Sequence, residues 1–280
     1  MFNTAAYRYP TEQRIFAITI FIVLAVIAVT ATATLCGSFL FVCVMVAAVY
    51  VSTRARHSEL IGKAQHVTGQ NLPDLDAIIQ KCKTRLQVEP VQTFIVPSRA
   101  LNAYTFGLSS PKAIVVYSPL LQLMDADELA FIIGHEMGHV RLGHTWLNSL
   151  LGGMAGIPSP FMASIILQFA FLWWNRACEY SADRAGLLAC GRLDKAISAL
   201  VRLATGTASR TSAALAHAYQ LVDAEDDQPT SGLVELLAGH PLMIKRVEEL
   251  RRWAATAEYT RLQAGMNRNQ TPSKRSSNGQ

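Results

Sequence analysis

Two histidines four residues apart, with a glutamate directly after the first, are the side chains in this sequence best suited to catalysis. They are His135, Glu136 and His139, in the run His-Glu-Met-Gly-His. Residues four apart lie on one face of a helix, so both imidazoles can bind the same Zn²⁺. Glu136 directly follows the first histidine, where it can polarise a water molecule at the metal. The motif therefore predicts hydrolytic zinc chemistry on a helix.

A third zinc ligand has to come from elsewhere in the chain. One extended zinc motif places it six residues after the second histidine, but Thr145 stands at that position. His144 is five residues after His139, which turns it off the ligand face, so we interpret it as a histidine behind a ligand or at the surface. Glu179 and Asp183 are the alternative, because they share one face of a later helix. We predict Glu179 as the third ligand and Asp183 as the acceptor that orients a ligand histidine.

A different interpretation of Glu179 and Asp183 is a solvated acidic helix face that pairs with Arg184. The surrounding sequence argues against it, because tryptophans precede the pair and leucines follow it. Such apolar flanks indicate that Glu179 and Asp183 are buried. A helix about 40 residues after the histidines can also return and pack across theirs.

The elements that position these residues are marked locally in the sequence. Asp125 and Glu128 form a capping-box pattern at the start of the histidine helix. Gly138 is costly inside a helix, which indicates a close packing partner there. Before this helix, an amphipathic helix over residues 71–88 leads into strand-like segments separated by turn residues. These segments are Thr93–Val96, Ala103–Phe106 and Ala113–Tyr117, and the later predicted helices are Leu193–Leu203, Ser212–Val222 and Met243–Ala257.

The N-terminal part of the chain is apolar and predicts a membrane anchor. Residues 15–51 contain no charge, a run that is too long for one upright helix and long enough for two short ones. Small residues and Gly37 place a break near residues 30–38, so we predict a transmembrane helical hairpin. Arginines and lysines lie on its outer flanks and none lies at its tip, which keeps both ends in the cytoplasm by the positive-inside rule.

Other topologies fit the same apolar run. One long tilted helix would send the rest of the chain across the membrane. A cleaved signal peptide would end near the Ala-x-Ala pattern at residues 31–33, although a second apolar stretch follows directly. A further apolar segment, Trp146–Trp174, is interrupted by glycines and prolines. It is either a packed helix or a segment that enters the bilayer.

Composition restricts the remaining classes of protein. The chain of 280 residues is 51% hydrophobic and 16% charged, which excludes a disordered chain. The net charge of +5 comes from dispersed residues that flank the apolar run, so we predict a lipid bilayer and no nucleic acid as partner. The five cysteines form no paired motif, and we interpret them as free thiols in a reducing compartment.

Four stretches, taken in order, resemble a known family of proteins. The chain is similar to the membrane-associated zinc endopeptidases of the HtpX and CAAX prenyl protease type, in the gluzincin group. The resemblance covers roughly residues 64–250, and the N-terminal hairpin also fits the family. The stretches are Asn102-Ala103-Tyr104 with Gly107, the run Glu128–His144, the run Glu179–Gly186, and His240-Pro241 with Arg246.

The resemblance implies a fold and a catalytic site. The fold is α+β, a predominantly helical zincin-like metallopeptidase domain with a small β-sheet, preceded by the transmembrane hairpin. One Zn²⁺ per chain would be bound by His135, His139 and Glu179. Glu136 would be the general base, and His240 would donate to the oxyanion of the tetrahedral intermediate.

The resemblance also implies a substrate and a location. Asn102, Ala103 and Tyr104 would form an edge strand that pairs with an extended or unfolded polypeptide. Tyr104 stands where many relatives carry Phe, so this edge offers a hydroxyl near the cleft. The protein would be a multi-pass protein of a bacterial inner membrane with its catalytic domain in the cytoplasm.

We therefore predict three regions and one function. Residues 1–57 hold the hairpin (15–51), residues 58–262 form the zinc metallopeptidase domain, and residues 263–280 form a disordered polar tail. The predicted function is zinc-dependent endopeptidase activity at the membrane surface, in protein quality control. The alternatives are a non-catalytic membrane adaptor or chaperone with a retained zinc site, and an intramembrane protease. Charged residues close to the histidine motif argue against the last of these.

Overall fold

A computed structural model gives the fold, and it describes residues 3–33, 37–107, 110–146, 162–205 and 243–270. Most of these residues are helical, and a four-stranded sheet accompanies the helices. The predicted α+β class, with a mainly helical body and a small sheet, is confirmed. The predicted helix Ser212–Val222 and the predicted oxyanion donor His240 lie outside the described residues.

The secondary structure follows the predicted order. A 3₁₀ turn at Thr4–Ala6 precedes the helices α1 (Glu12–Ala33), α2 (Gly37–Lys63), α3 (Pro73–Leu86), α4 (Ser118–Leu123), α5 (Ala126–Leu142), α6 (Met162–Cys190), α7 (Leu193–Thr205), α8 (Met243–Ala254) and α9 (Ala257–Gln270). The strands are β1 (Gln65–His66), β2 (Val91–Val96), β3 (Ala103–Phe106) and β4 (Lys112–Tyr117). The three strands predicted from the sequence are all present, and β1 is an addition.

The sheet has the strand order β1-β2-β4-β3. Strands β2 and β4 run parallel at its centre, and β1 and β3 pair antiparallel at its two ends. Side chains alternate across the sheet: Ile114 and Val116 join the main helical core, whereas Ala113 and Val115 pack in a second cluster on the other face. In this order β3 is the last strand of the sheet, and it lies beside α5.

Helices α5 and α6 form the centre of the main core and cross at unusually close range. A Cβ added to Gly134 would lie 2.3 Å from the Cβ of Ala189, and one added to Gly138 would lie 2.7 Å from the Cβ of Ala185. The close partner predicted for Gly138 is thus found on α6. Helix α5 begins with the predicted capping box, in which Asp125 accepts from the amide of Glu128 and the Glu128 carboxylate accepts from the amide of Asp125.

Helix α1 is the one helix within the described parts of the chain that is long and apolar enough to cross a membrane. Its first half packs on α6, where Thr19 Oγ1 donates to the carbonyl oxygen of Ala170 at 3.1 Å. Its outer surface is apolar and exposed, as at Phe21 and Val29. The helix begins three residues before the predicted run, at Glu12, and ends at Ala33, and the next helix begins at Gly37, inside the region predicted to hold the break.

Two helices cross the boundaries predicted between regions. Helix α2 extends to Lys63, beyond the boundary predicted after residue 57, and the second half of this helix is polar. Helix α9 extends to Gln270, well past residue 262, because Met266 is buried in the main core. Of the segment Trp146–Trp174, the structure describes Trp146 and residues 162–174, which form the first part of α6.

Candidate metal centre

Three buried side chains direct their donor atoms toward a single point between α5 and α6. His135 Nε2 is 3.2 Å from His139 Nε2 and 3.5 Å from Glu179 Oε2, and His139 Nε2 is 3.4 Å from Glu179 Oε1. Ligand atoms of a tetrahedral Zn²⁺ with metal–ligand distances near 2.1 Å lie about 3.4 Å apart. The spacing and the nitrogen and oxygen donors therefore fit zinc.

The helices explain why these residues meet. His135 and His139 lie one turn apart on α5, and Glu179 lies on the facing side of α6, where glycines allow the close crossing. Asp183 lies one turn beyond Glu179 and accepts from His135 Nδ1 at 2.9 Å. This is the position that the sequence predicts for Asp183.

Arg246 of α8 connects the two acidic side chains. Its Nε and Nη2 atoms donate to Asp183 at 2.8 and 2.6 Å, and its Nη1 atom is 3.2 Å from Glu179 Oε2. The sequence resemblance includes Arg246 but assigns it no partner. The buried guanidinium is therefore bidentate to Asp183 and makes one further contact with Glu179, which fixes both carboxylates.

The electrostatics of this cluster favour a cation. Burial by itself would raise the pKa of Glu179, but Arg246 and the two histidines hold it well below its usual range. Burial by itself would lower the pKa of His135, but hydrogen bonds with Asp183 and Glu179 raise it to about 10. Glu136 adds a third buried carboxylate, and Arg246 is the one guanidinium that bonds directly to these acidic groups among the described residues. The acidic surroundings that favour a proton on His135 would equally favour a divalent ion, which replaces that proton when the histidine binds it.

Glu136 is held by a residue of the sheet. Thr105 on β3 donates its hydroxyl to Glu136 Oε2 at 2.6 Å, and the same hydroxyl is 3.2 Å from the carbonyl oxygen of Glu136. The sequence gives no role to Thr105. The sequence pattern predicts the strand that carries Thr105, but it does not indicate that this strand lies against α5, which carries Glu136.

His144 lies behind the second metal-facing histidine. Its Nδ1 atom is 3.0 Å from His139 Nδ1, and its Nε2 atom is 3.1 Å from Glu12 Oε1 on α1. His144 is 2% exposed, so the surface location that the sequence left open is wrong. Burial lowers the pKa of His144 to about 4, so its ring is neutral near pH 7.

The strand predicted to bind substrate lies at the end of the sheet. Ala103 and Tyr104 belong to β3, and the exposed Asn102 just before it accepts from the amide of Tyr117 at 3.0 Å. The Tyr104 ring is half-buried between the rings of Phe106 and Tyr117. Burial raises the pKa of its hydroxyl to about 12.

Comparison with known proteins identifies the family. The model of peptidase family M48 matches residues 70–254, which is more than half of the chain. The chain belongs to peptidase family M48. The family predicted from the order of the motifs is therefore confirmed, and the chain is a peptidase.

Individual M48 relatives are distant in sequence. The plastoglobule-localized metallopeptidase 48 of Arabidopsis thaliana is 29% identical in an alignment of 230 positions that covers 77% of this chain and 67% of the relative. A protease HtpX homolog of Pyrococcus furiosus is 26% identical, over 68% of this chain and 77% of the relative. Among solved structures, Ste24p of S. mikatae matches with a TM-score of 0.44 and 18% identity, over 84% of this chain and 63% of that one.

Proposed function

We propose that this M48 peptidase is a zinc-dependent endopeptidase that cleaves extended polypeptides at a membrane surface. The observation that carries the proposal is the convergence of His135, His139 and Glu179 at distances of 3.2–3.5 Å. Zn²⁺ bound by these side chains would supply Lewis-acid polarisation of a substrate carbonyl and of a water molecule. Glu136 is the residue adjacent to this centre that can move a proton.

Glu136 acts as the general base. Its carboxylate takes a proton from the attacking water and passes that proton to the leaving amine, which a peptide bond needs because a free amide anion is a poor leaving group. The hydroxyl of Thr105 bonds to one carboxylate oxygen and so fixes the rotation of the group. His240, predicted by the family resemblance, would stabilise the oxyanion.

The substrate is an extended polypeptide that adds to the sheet. Strand β3 is the last strand in the sheet order and it lies against α5, which carries Glu136. A polypeptide that pairs with the main chain around Asn102, Ala103 and Tyr104 would be held with little demand on its side chains. Unfolded or misassembled membrane proteins fit this recognition mode, and protein quality control is the corresponding role.

The membrane anchor would bring this site to the bilayer. Helix α1 is long and apolar enough to span, and the apolar first half of α2 would complete the predicted hairpin. Basic residues flank the hairpin on both outer sides, which supports a cytoplasmic location of the catalytic residues in a bacterial inner membrane. The four cysteines within the described residues are free thiols, which suits a reducing compartment.

The test is a comparison of the full chain in detergent with its Glu136→Gln variant. Wild type should hold one zinc per chain by elemental analysis and digest casein. Glu136→Gln should keep its zinc and lose about 10²–10⁴-fold in rate, because the water loses its base. Glu59→Gln, at an exposed glutamate of α2, is the matched control and should retain full activity.

Two results would contradict the proposal. An active Glu136→Gln enzyme would require another base. A wild-type chain that binds zinc but cleaves no unfolded polypeptide would favour the adaptor or chaperone alternative.

A further inference from the structure

A line of buried side chains continues from His139 away from the metal centre to the N-terminal helix. His139 Nδ1 contacts His144 Nδ1 at 3.0 Å, and His144 Nε2 contacts Glu12 Oε1 at 3.1 Å. Glu12 is 1% exposed and is the first residue of α1. The match to the M48 family begins only at residue 70, so Glu12 lies outside the part of the chain that defines the family.

Only one arrangement of protons along this line leaves His139 able to bind a cation. A metal ligand must present a lone pair, so Nε2 of His139 carries no hydrogen and its proton lies on Nδ1. That proton can be donated only if Nδ1 of His144 is an acceptor, which in a neutral ring places the proton of His144 on Nε2. His144 Nε2 then donates to Glu12. The opposite arrangement would put a hydrogen on His139 Nε2 and exclude the cation.

Glu12 is itself fixed as an acceptor by the segment around it. Its carboxylate accepts from Arg8 Nη1 and from Ser181 Oγ. Arg8 also donates to the carbonyl oxygen of Leu142 at 3.0 Å, at the end of α5, and the amide of Tyr9 donates to Ser181 Oγ at 2.7 Å. The carboxylate is therefore held against both helices of the metal centre.

We propose that Glu12 and His144 are positioning residues, which hold His139 in the tautomer and orientation that bind the metal. The first turn of α1 would thus contribute to metal binding at the catalytic centre. The proposal rests on the proposed zinc site, and it adds to that site two residues that act through His139 and do not touch the ion.

A separate metal site is the competing interpretation of the same residues. Ligand atoms of Glu12, His144 and Cys178 lie within 4.8 Å of one another. Glu12 already accepts from Arg8, and His144 already contacts His139. A second ion would have to displace Arg8 or break the contact with His139. The number of metal ions per chain distinguishes the two interpretations.

The first experiment uses a pair of substitutions at His144. In the full chain in detergent, zinc affinity is measured by competition with a chromogenic chelator. His144→Leu removes both hydrogen bonds and should weaken zinc binding about 10–100-fold. His144→Gln has an acceptor and a donor at similar spacing and should restore most of that loss. His66→Leu, at an exposed histidine of β1, is the matched control and should bind zinc as wild type does.

The second experiment tests the link to the membrane helix. Glu12→Met removes the terminal acceptor and should also weaken zinc binding, with a shifted visible absorption spectrum when Co²⁺ replaces Zn²⁺. Glu59→Met on α2 is the matched control and should leave both the affinity and the spectrum unchanged. Melting temperatures of the metal-free variants show whether each one folds.

Each outcome decides a different statement. A wild-type chain without zinc would overturn the proposed function itself. Two zinc ions per chain would overturn the positioning role and favour the separate site. If wild type holds one zinc and His144→Leu binds it as tightly, or if His144→Gln is as weak as His144→Leu, the positioning role of His144 is wrong. Unchanged zinc affinity and an unchanged Co²⁺ spectrum in Glu12→Met would show that Glu12 does not position His139.

Discussion

The two histidines of the metal centre are oriented from opposite sides by different means. Behind His135, the acceptor is a carboxylate in direct contact, Asp183, which Arg246 holds in place. Behind His139, a second histidine intervenes, and the carboxylate belongs to Glu12 on α1. We call these the Asp183 side and the Glu12 side.

The difference shows that one chemical requirement can be met by local or by distant parts of a chain. Each ligand histidine needs an acceptor at Nδ1. The Asp183 side meets this need with residues of the catalytic domain alone, through a buried ion pair with Arg246. The Glu12 side meets it through α1, which lies outside the residues that match the family. We therefore expect damage on the Asp183 side to affect both stability and metal binding, and damage on the Glu12 side to affect mainly metal binding.

The largest effect is expected for Asp183→Ala. This change removes the acceptor of His135 and leaves buried Arg246 with only part of its counter-charge, so the free energy of unfolding should fall by about 3 kcal/mol. Zinc affinity should fall as well. Thermal unfolding in detergent measures the first effect and chelator competition the second. His144→Leu should cost clearly less stability, because Glu12 keeps Arg8 as its partner. Equal stability losses in the two variants would remove the distinction between the two sides.

A smaller effect, shared by both sides, is expected for Gly134→Ala. Its new methyl group would lie 2.3 Å from the Cβ of Ala189, so α5 and α6 would have to separate. The expected loss is about 2 kcal/mol of unfolding free energy, with weaker zinc binding because Glu179 moves away from both histidines. Gly62→Ala on α2, where a Cβ meets nothing within 4 Å, is the matched control. A stable Gly134→Ala variant with normal zinc affinity would contradict the close crossing.

The smallest effect is expected for a residue outside both the Asp183 side and the Glu12 side. Thr105→Val removes the hydroxyl that bonds to the Glu136 carboxylate, and kcat should fall about tenfold, which corresponds to about 1.4 kcal/mol. Zinc affinity should not change. Thr105→Ser keeps the hydroxyl and should restore most of the rate. A loss of zinc in Thr105→Val would show that β3 supports the metal and not only the base.

Sequence patterns were sufficient where the determining contacts are local. The capping box of α5 depends on residues three apart, and the strands β2, β3 and β4 follow apolar runs bounded by turn residues. The spacing of His135 and His139 likewise fixed their shared face. The order of the motifs was enough to predict the family, which the match over residues 70–254 confirms.

Sequence patterns were insufficient where a residue acts through a distant partner. Glu12 stands just before an apolar run, among other polar residues that flank it. Nothing near it in the chain indicates that it bonds to His144, and nothing near Thr105 indicates Glu136. The extent of α9 was missed for a similar reason, since Met266 packs into the core within a segment that is otherwise polar.

The contact between Glu12 and His144 also bears on the order in which the protein is assembled during synthesis. The two residues are separated by 132 positions, and Tyr9 and Ser181 by 172. Neither contact can form before the later residue of its pair has been synthesised. Helix α1 is therefore synthesised well before α6, and its first turn lacks these partners until α6 has been made. A nascent chain cannot complete its centre before that time, so the activity should appear only after α1 has joined the helices that carry the metal-binding side chains.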